Sequence, residues 1–141
     1  MDCIYLLHPR KYDELGKTFP RDAFRNNGGS FSVIDGACAG RSTICAYIRR
    51  FYSQWTRITS NPAVFLRFDS ARLPAKRRLK DAGKEHNPCH VEVFDLEDEE
   101  LGQVFENTTI SQLEVCHSGV SEPIEEREFL EIKARYEAET N

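Results

Sequence analysis

Hydrophobic and polar positions follow a strand-like pattern in five short segments of the chain, where apolar residues alternate with polar ones or form brief runs. The predicted strands are Cys3–Leu7, Ser30–Asp35, Ala63–Ser70, His90–Leu96 and Ile110–His117. In the third of them, Val64, Leu66 and Phe68 fall on one face and Phe65 on the other. Strands of this kind belong to a sheet that is buried on at least one face.

Helical periodicity appears in three other segments. Ser42–Trp55 carries apolar residues at spacings of four, three and four, with Ser42 as the predicted N-cap. Glu97–Asn107 has an acidic first turn, which the helix dipole favours. Ser121 is the predicted cap of a terminal helix that has Pro123 in its first turn.

The order of these elements, β-β-α-β-β-α-β-α, predicts the fold class. It lacks the regular βαβ alternation of a doubly wound fold, and it indicates a single α+β domain. We expect a mixed or mostly antiparallel five-stranded sheet with two to three helices. Residues 1–120 would form the globular part, and residues 121–141 would form an acidic helix that docks on it or binds a partner. Residues 73–88 are too polar for core and are predicted to be a basic loop.

Composition places the chain among water-soluble folded domains. It has 141 residues, of which 40% are hydrophobic and 11% aromatic, and no apolar run approaches the roughly 18 residues of a transmembrane helix. The first residues have no basic region followed by a long apolar run, so no signal peptide is predicted. The expected location is the cytoplasm.

Five cysteines without a CxxC pair give an odd count, and reduced thiols are the simplest interpretation. Cys3, Cys45 and Cys116 fall in apolar patterns, so we expect them to be buried as small hydrophobic residues. Neither a disulfide nor a zinc site is predicted, and no cofactor motif is present.

The net charge of −4 hides a strong polarity along the chain. Residues 1–84 carry a formal charge of +9 and residues 85–141 carry −13. The basic residues Arg72, Lys76, Arg77, Arg78, Lys80 and Lys84 form a candidate contact for nucleic acid or another charged partner. The alternative is a solvated loop that meets the acidic half of the chain.

The terminal helix is the second candidate interaction surface. Its candidate partner-binding residues are Glu125, Phe129, Ile132 and Tyr136. The apolar stripe is narrow and the rest of the helix is acidic, so it would either dock on its own domain or enter a basic groove of a protein partner. A membrane partner is not predicted.

Histidines supply the candidate chemistry. His8 ends the first predicted strand and His90 begins the fourth, where both side chains can reach a cleft. Two histidines that face one phosphate can act as general base and general acid. We expect them to lie at neighbouring strand ends, although hydrogen bonding to loops is the alternative. A metal site that draws on His86, Cys89, His90, Cys116 and His117 is not favoured, because its spacing is not that of a zinc finger or ribbon.

Three pieces of the chain, taken together, resemble a group of small bacterial proteins to which no activity is assigned. They are the strand that runs into His8-Pro9, the segment Gly29-Ser30-Phe31-Ser32-Val33, and Asn87-Pro88-Cys89-His90-Val91-Glu92-Val93. The resemblance covers residues 4–105 and implies that His8, Ser32 and His90 are the positions of interest.

A second resemblance is to ADP-ribosyltransferase-type folds. Those folds place a His or Arg on the first strand, a Ser on the second and a Glu on a later strand. His8 or Arg10, Ser32 and Glu92 match that order. The candidate catalytic residues are therefore His8, Ser32, His90 and Glu92.

These observations leave three hypotheses open. The first is a small bacterial protein that binds a macromolecular partner, in a toxin–antitoxin or phage-defence setting. The second is an enzyme that acts on RNA or a nucleotide, either ADP-ribosyltransferase-like or through two histidines as in a ribonuclease. The third is a nucleic-acid-binding module that uses residues 72–84.

Overall fold

One antiparallel sheet joins the N-terminal and C-terminal parts of the chain. The computed structural model describes residues 1–7, 30–52, 63–97, 99–100, 113–117 and 121–140. Its strands are β1 (Asp2–Leu6), β2 (Ser30–Asp35), β3 (Ala63–Asp69), β4 (Arg78–Asp81), β5 (His90–Phe94), β6 (Leu113–Cys116) and β7 (Ile124–Glu125). Its helices are α1 (Gly36–Ala39), α2 (Ile44–Phe51) and α3 (Glu126–Thr140), with 3-10 turns at Arg41–Thr43 and Ser70–Arg72.

The strand order is β4-β5-β2-β1-β3-β6-β7, and every neighbouring pair runs antiparallel. The α+β class is confirmed, but the prediction of five strands is wrong, since the described residues contain seven. The two additional strands are β4 and β7. Both lie at the edges of the sheet.

The sheet has an apolar core on each face. Because successive residues of a strand project to opposite sides, Cys3 belongs to one core and Ile4 to the other. The core on the α2 side comprises Ile4, Leu6, Ile34, Ala39, Ile44, Cys45, Tyr47, Ile48, Ala63, Phe65, Cys89 and Cys116. The opposite core comprises Cys3, Leu7, Phe31, Val33, Val64, Leu66, Phe68, Leu73, Val91, Val93, Leu96, Leu113 and Val115. The predicted separation of Val64, Leu66 and Phe68 from Phe65 is confirmed.

Strand β4 lies inside the segment predicted to be a basic loop. Its residues are mostly exposed, and only Leu79 packs against a core. An edge strand needs partners on one side alone, so backbone pairing with β5 stabilises it without an alternation of apolar residues. Leu73, the first residue of the segment, is buried in the core, so the prediction that the whole segment lies outside the core is wrong at that position. The polarity of the remaining residues did not exclude a strand.

The terminal helix begins later than predicted. Ile124 and Glu125 pair with β6 as the short strand β7, and α3 begins at Glu126. Ser121 therefore does not cap the helix, and Glu125 belongs to a strand. Backbone pairing with Val115 and Glu114 holds these two residues extended.

Two other helix predictions are changed in their limits. Helix α2 begins at Ile44 rather than after Ser42, and Thr43 at its N-cap makes no side-chain capping hydrogen bond. Trp55 lies outside the described residues. Of the helix predicted at 97–107, Glu99 and Glu100 are helical, and residues 101–112 lie outside the description.

Two disulfides contradict the prediction of reduced cysteines. Cys38 of α1 is bonded to Cys89, and Cys45 of α2 is bonded to Cys116 of β6. Cys45 and Cys116 are buried as expected, but the fold brings their Cα atoms to 5.3 Å, which is within disulfide range. Cys3 is free and buried. Burial of Cys3 raises the pKa of its thiol to about 12.

Opposite charges from the two halves of the chain meet in ion pairs. Arg41 lies 3.2 Å from Glu114, and Lys76 lies 2.7 Å from Glu100. Part of the predicted charge polarity is therefore neutralised within the fold, although exposed pairs of this kind contribute only about 0–1 kcal/mol each. Within the described ranges, no helix has the length and apolar character needed to cross a membrane.

Candidate functional site

Four polar side chains from β2 and β5 meet on the α2 side of the sheet. Ser32 pairs directly with Glu92 across the two strands, and Ile34 pairs with His90. Because side chains alternate along a strand, Ser30 and Ser32 lie on the same face as Ile34. His90 and Glu92 lie on this face too, because they are the cross-strand partners of Ile34 and Ser32. We call Ser30, Ser32, His90 and Glu92 the carboxylate site.

The Glu92 carboxylate is the centre of this site. Its Oε1 accepts a hydrogen bond from the Ser32 hydroxyl at 2.5 Å, and its Oε2 accepts one from Ser30 at 2.7 Å. The His90 Nε2 lies 2.5 Å from Glu92 Oε1 and 3.2 Å from Ser32 Oγ. The Glu92 side chain is 19% exposed and that of His90 is 24% exposed, so both remain open to a ligand.

These contacts keep the carboxylate ionised. Burial alone would raise the pKa of Glu92, but the hydrogen bonds from Ser32, Ser30 and His90 and the charge of His90 together hold that pKa below its ordinary value of 4.5. The site therefore presents a fixed negative charge on an open sheet surface. A charge held in this way can stabilise a cation that develops in a bound substrate.

The geometry differs from that of a nucleophilic serine triad. In a triad, the two ring nitrogens of histidine separate the serine from the carboxylate. Here a single nitrogen of His90 contacts both Ser32 and Glu92, and the serine donates directly to the carboxylate. Ser32 therefore positions Glu92 and is not activated as a nucleophile.

A tyrosine–asparagine network holds the beginning of β5 against α2. The Tyr47 hydroxyl hydrogen-bonds to Asn87 Oδ1 and accepts from the Cys89 backbone N–H at 3.0 Å. Asn87 Nδ2 donates to the Tyr52 hydroxyl at 2.8 Å. Burial raises the pKa of Tyr52, the hydrogen bond from Asn87 opposes this, and the charges of Tyr47 and Glu92 raise it further.

The Cys38–Cys89 disulfide adds a covalent tie at the same point. Cys89 immediately precedes His90, so the bond fixes the start of β5 to α1. The disulfide and His90 also line a cleft of about 300 Å³ together with Asp35, Asp81 and other residues. Ser32 and Glu92 do not line this cleft, so it meets the carboxylate site only at His90.

The structure brings together three of the four candidate catalytic residues. Ser32, His90 and Glu92 form the carboxylate site, whereas His8 lies outside the described residues, as does Arg10. The predicted neighbourhood of His8 and His90 therefore stays a prediction.

The six candidate basic residues lie on different elements. Arg78 and Lys80 lie on β4, and Lys84 lies in the turn before β5. Lys76 is paired with Glu100. The remaining two are Arg72, which is exposed in a 3-10 turn, and the half-buried Arg77.

The candidate partner-binding residues of the C-terminal segment also lie in different environments. Phe129 packs against the core and lies 5.7 Å from the His117 ring, so it contacts the domain itself. Ile132 is half-buried, and Glu125 is exposed on β7. Tyr136 belongs to α3, but its side chain is not among those described.

Metal binding finds no support in the described part of the chain. No group of three or more His, Cys, Asp or Glu side chains is placed there to hold an ion. Cys89 and Cys116, the thiols nearest the histidines in sequence, are both consumed by disulfides.

The sequence prediction did not include Ser30 or the network of Tyr47, Tyr52 and Asn87. The signal for Ser30 was present, because residues two apart on a strand share a face and Ser30 stands two before Ser32. The network had no such signal, since it joins a helix to a turn 35 or more positions away. No protein-family model, curated protein or solved structure matches this chain.

Proposed function

We propose that the protein is an ADP-ribosyltransferase-like enzyme that acts on a dinucleotide such as NAD. The observation that carries the proposal is the direct pairing of Ser32 with Glu92 across β2 and β5, with the carboxylate held by hydroxyls from β2. The resemblance implied a Ser on the second strand and a Glu on a later one. Their contact supports a common site for the two residues.

The proposed reaction breaks the bond between the ribose C1′ and the nicotinamide nitrogen. The bonding electrons leave with the nicotinamide, which becomes neutral, and positive charge develops on C1′ and the ring oxygen. A carboxylate beside an oxocarbenium-like centre lowers the barrier in glycosyl transfer. Glu92 has this role in the proposal. The acceptor then forms a bond to C1′ and releases its proton to solvent, with water as acceptor in simple hydrolysis.

The hydroxyls and the imidazole have a positioning role in this proposal. Ser30 and Ser32 donate to opposite oxygens of Glu92, which fixes the plane of the carboxylate. His90 contacts the same oxygen as Ser32 and restrains the carboxylate further. The resemblance also implies that His8 or Arg10 contacts the substrate.

The direct test is the release of nicotinamide from NAD, with mass spectrometry to detect transfer of ADP-ribose to added proteins or nucleic acids. We expect the wild-type protein to release nicotinamide and Glu92→Gln to lose at least about 100-fold of that rate, since a charge that acts in the transition state is removed. Ser32→Ala should lose less, because Ser30 and His90 still hold the carboxylate.

Glu125→Gln is the matched control, because Glu125 is also a strand glutamate but is exposed on β7. It should retain the wild-type rate. A wild-type protein that releases no nicotinamide under any condition, or a Glu92→Gln variant as active as Glu125→Gln, would overturn the proposal. In that outcome the predicted partner-binding protein and the predicted two-histidine ribonuclease would remain to be tested, the second by RNA cleavage with His8→Ala and His90→Ala.

A further inference from the structure

Strand β4 places two cations on the face of the carboxylate site. In the backbone register of β4 with β5, Lys80 lies directly across from Glu92, and Arg78 lies directly across from Phe94. Strand β4 lies on the side of β5 opposite to β2. Directly paired residues of an antiparallel ladder point to the same face, with Cβ atoms about 4.5–5.5 Å apart. One row across the sheet therefore reads Lys80, Glu92, Ser32, and the next reads Arg78, Phe94, Ser30.

The Arg78 and Lys80 side chains are both exposed, but their contacts with neighbouring residues differ. The Arg78 guanidinium lies over the Phe94 ring, 4.8 Å from its centroid, and its Nε is 3.3 Å from Asp95. Its side chain is still 64% exposed, so it can accept a second partner. Lys80 is exposed and makes no ion pair with any residue in the described part of the chain. The hydrogen bonds to Glu92 come from β2 and from His90, which leaves Lys80 free of that carboxylate.

We infer that Arg78 and Lys80 form a phosphate-binding subsite that orients the substrate over Glu92. Guanidinium and ammonium groups are the usual partners of phosphate oxygens, and Arg78 is held in place by the Phe94 ring. The inference rests on the proposed function, because it assigns to that site the anchor for a phosphate beside the reacting sugar. It makes β4 part of the binding surface rather than a solvated loop.

Two sources can supply the phosphate. In a dinucleotide donor, the 5′-phosphate is attached to the same ribose whose C1′ bond breaks, so it lies one sugar away from the centre that Glu92 faces. In a nucleic-acid acceptor, the phosphodiester groups lie beside the base or sugar that would receive ADP-ribose. Both place the same anion near Lys80, and binding measurements with separate ligands distinguish them.

The experiment measures the dissociation constants of ADP-ribose and of a single-stranded oligothymidylate by titration, at low and at moderate salt. The variants are Lys80→Gln and Arg78→Gln. Lys84→Gln is the control, because it removes the same charge from an exposed residue in the turn after β4. We expect Lys80→Gln to weaken the binding of one ligand about tenfold, as the loss of a charge-assisted hydrogen bond predicts, and Lys84→Gln to change it less than twofold.

Weaker binding of ADP-ribose alone would assign the subsite to the donor, and weaker binding of the oligonucleotide alone would assign it to the acceptor. Equal losses in Lys80→Gln and Lys84→Gln would indicate general surface charge and overturn the inference, as would no loss in either or no binding of either ligand. Neither titration requires turnover. A protein that releases no nicotinamide, yet loses binding only on substitution of Arg78 or Lys80, would retain the subsite and refute the proposed reaction.

Discussion

The Ser32 hydroxyl and the Glu92 carboxylate lie 2.5 Å apart although 60 positions separate them in sequence. The antiparallel pairing of β2 with β5 sets this contact, since it places the two residues opposite each other on one face. A shift of β2 by one residue would turn Ser32 toward the opposite core and away from Glu92. The carboxylate site is thus a direct consequence of strand register.

The first prediction concerns pH. The hydrogen bonds to Glu92 hold its folded pKa below the ordinary 4.5, so they stabilise the protein above that pH, and the contribution is lost as the pH falls through the folded pKa. We expect the free energy of unfolding of wild type to exceed that of Glu92→Gln near neutral pH. This difference should shrink below pH 4.5. Chemical denaturation of both proteins across this range measures it. A difference that stays constant or widens toward acid would contradict the role of these contacts.

The second prediction concerns the support of β5. Tyr47→Phe removes the acceptor for the buried Cys89 N–H and the partner of Asn87 Oδ1, so it should lower the free energy of unfolding by about 1–3 kcal/mol. Tyr52→Phe is the control, since Tyr52 is half-buried and should lose less. Thermal melts compare the two variants. Equal losses would show that the Cys89 contact has no special weight.

Much of the fold followed from the apolar pattern alone. The limits of β2 are those predicted, because buried Phe31 and Val33 alternate there with less buried serines. The two faces of β3 carry the predicted residues, because this strand contributes apolar residues to both cores. Strands β4 and β7 were missed for the opposite reason. They are edge strands of four and two residues that depend on backbone pairing, which leaves little trace in side-chain hydrophobicity.

The candidate site was predicted in its residues but not in its geometry. Ser32, His90 and Glu92 were candidates from strand positions and from the resemblance, yet only the strand order places β5 next to β2 rather than next to β6. The disulfides could not be inferred, because sequence spacing does not show which cysteines approach within bonding distance. The carboxylate site and the disulfides both depend on which residues become neighbours in the folded structure.

The third prediction concerns the oxidation state of the cysteines. Alkylation of the denatured protein without reductant should label Cys3 alone, and alkylation after reduction should label all five cysteines. Loss of the Cys38–Cys89 bond in a double serine variant should lower stability by about 2–4 kcal/mol, because its loop spans 51 residues. Nicotinamide release should fall as well, since the bond fixes the residue before His90. Five labels before reduction would contradict the disulfides and favour the predicted cytoplasmic location.

The fourth prediction concerns a carboxylate of the opposite kind. Glu126, the first residue of α3, is 4% exposed, and its Oε2 has no hydrogen-bond partner in the described part of the chain. Burial raises the pKa of Glu126 above its ordinary 4.5, so the charged form destabilises the fold near neutral pH. Stability should therefore rise as the pH falls through the folded pKa toward 4.5. Glu126→Gln should be more stable than wild type near neutral pH by about 1 kcal/mol and should lose this dependence.

Glu128→Gln is the matched control, because Glu128 lies in the same first turn but is exposed. It removes the same charge from the N-terminus of α3, where the helix dipole favours an anion, so it should be neutral or slightly destabilising. Urea unfolding of wild type and both variants, near neutral pH and near pH 4.5, separates burial from the dipole. If the free energy of unfolding of Glu126→Gln is equal to or lower than that of Glu128→Gln, the buried carboxylate has a partner whose interaction outweighs the cost of desolvation. If only Glu126→Gln gains stability, and only at the higher pH, Glu126 is a desolvated charge that the fold retains at a cost in stability.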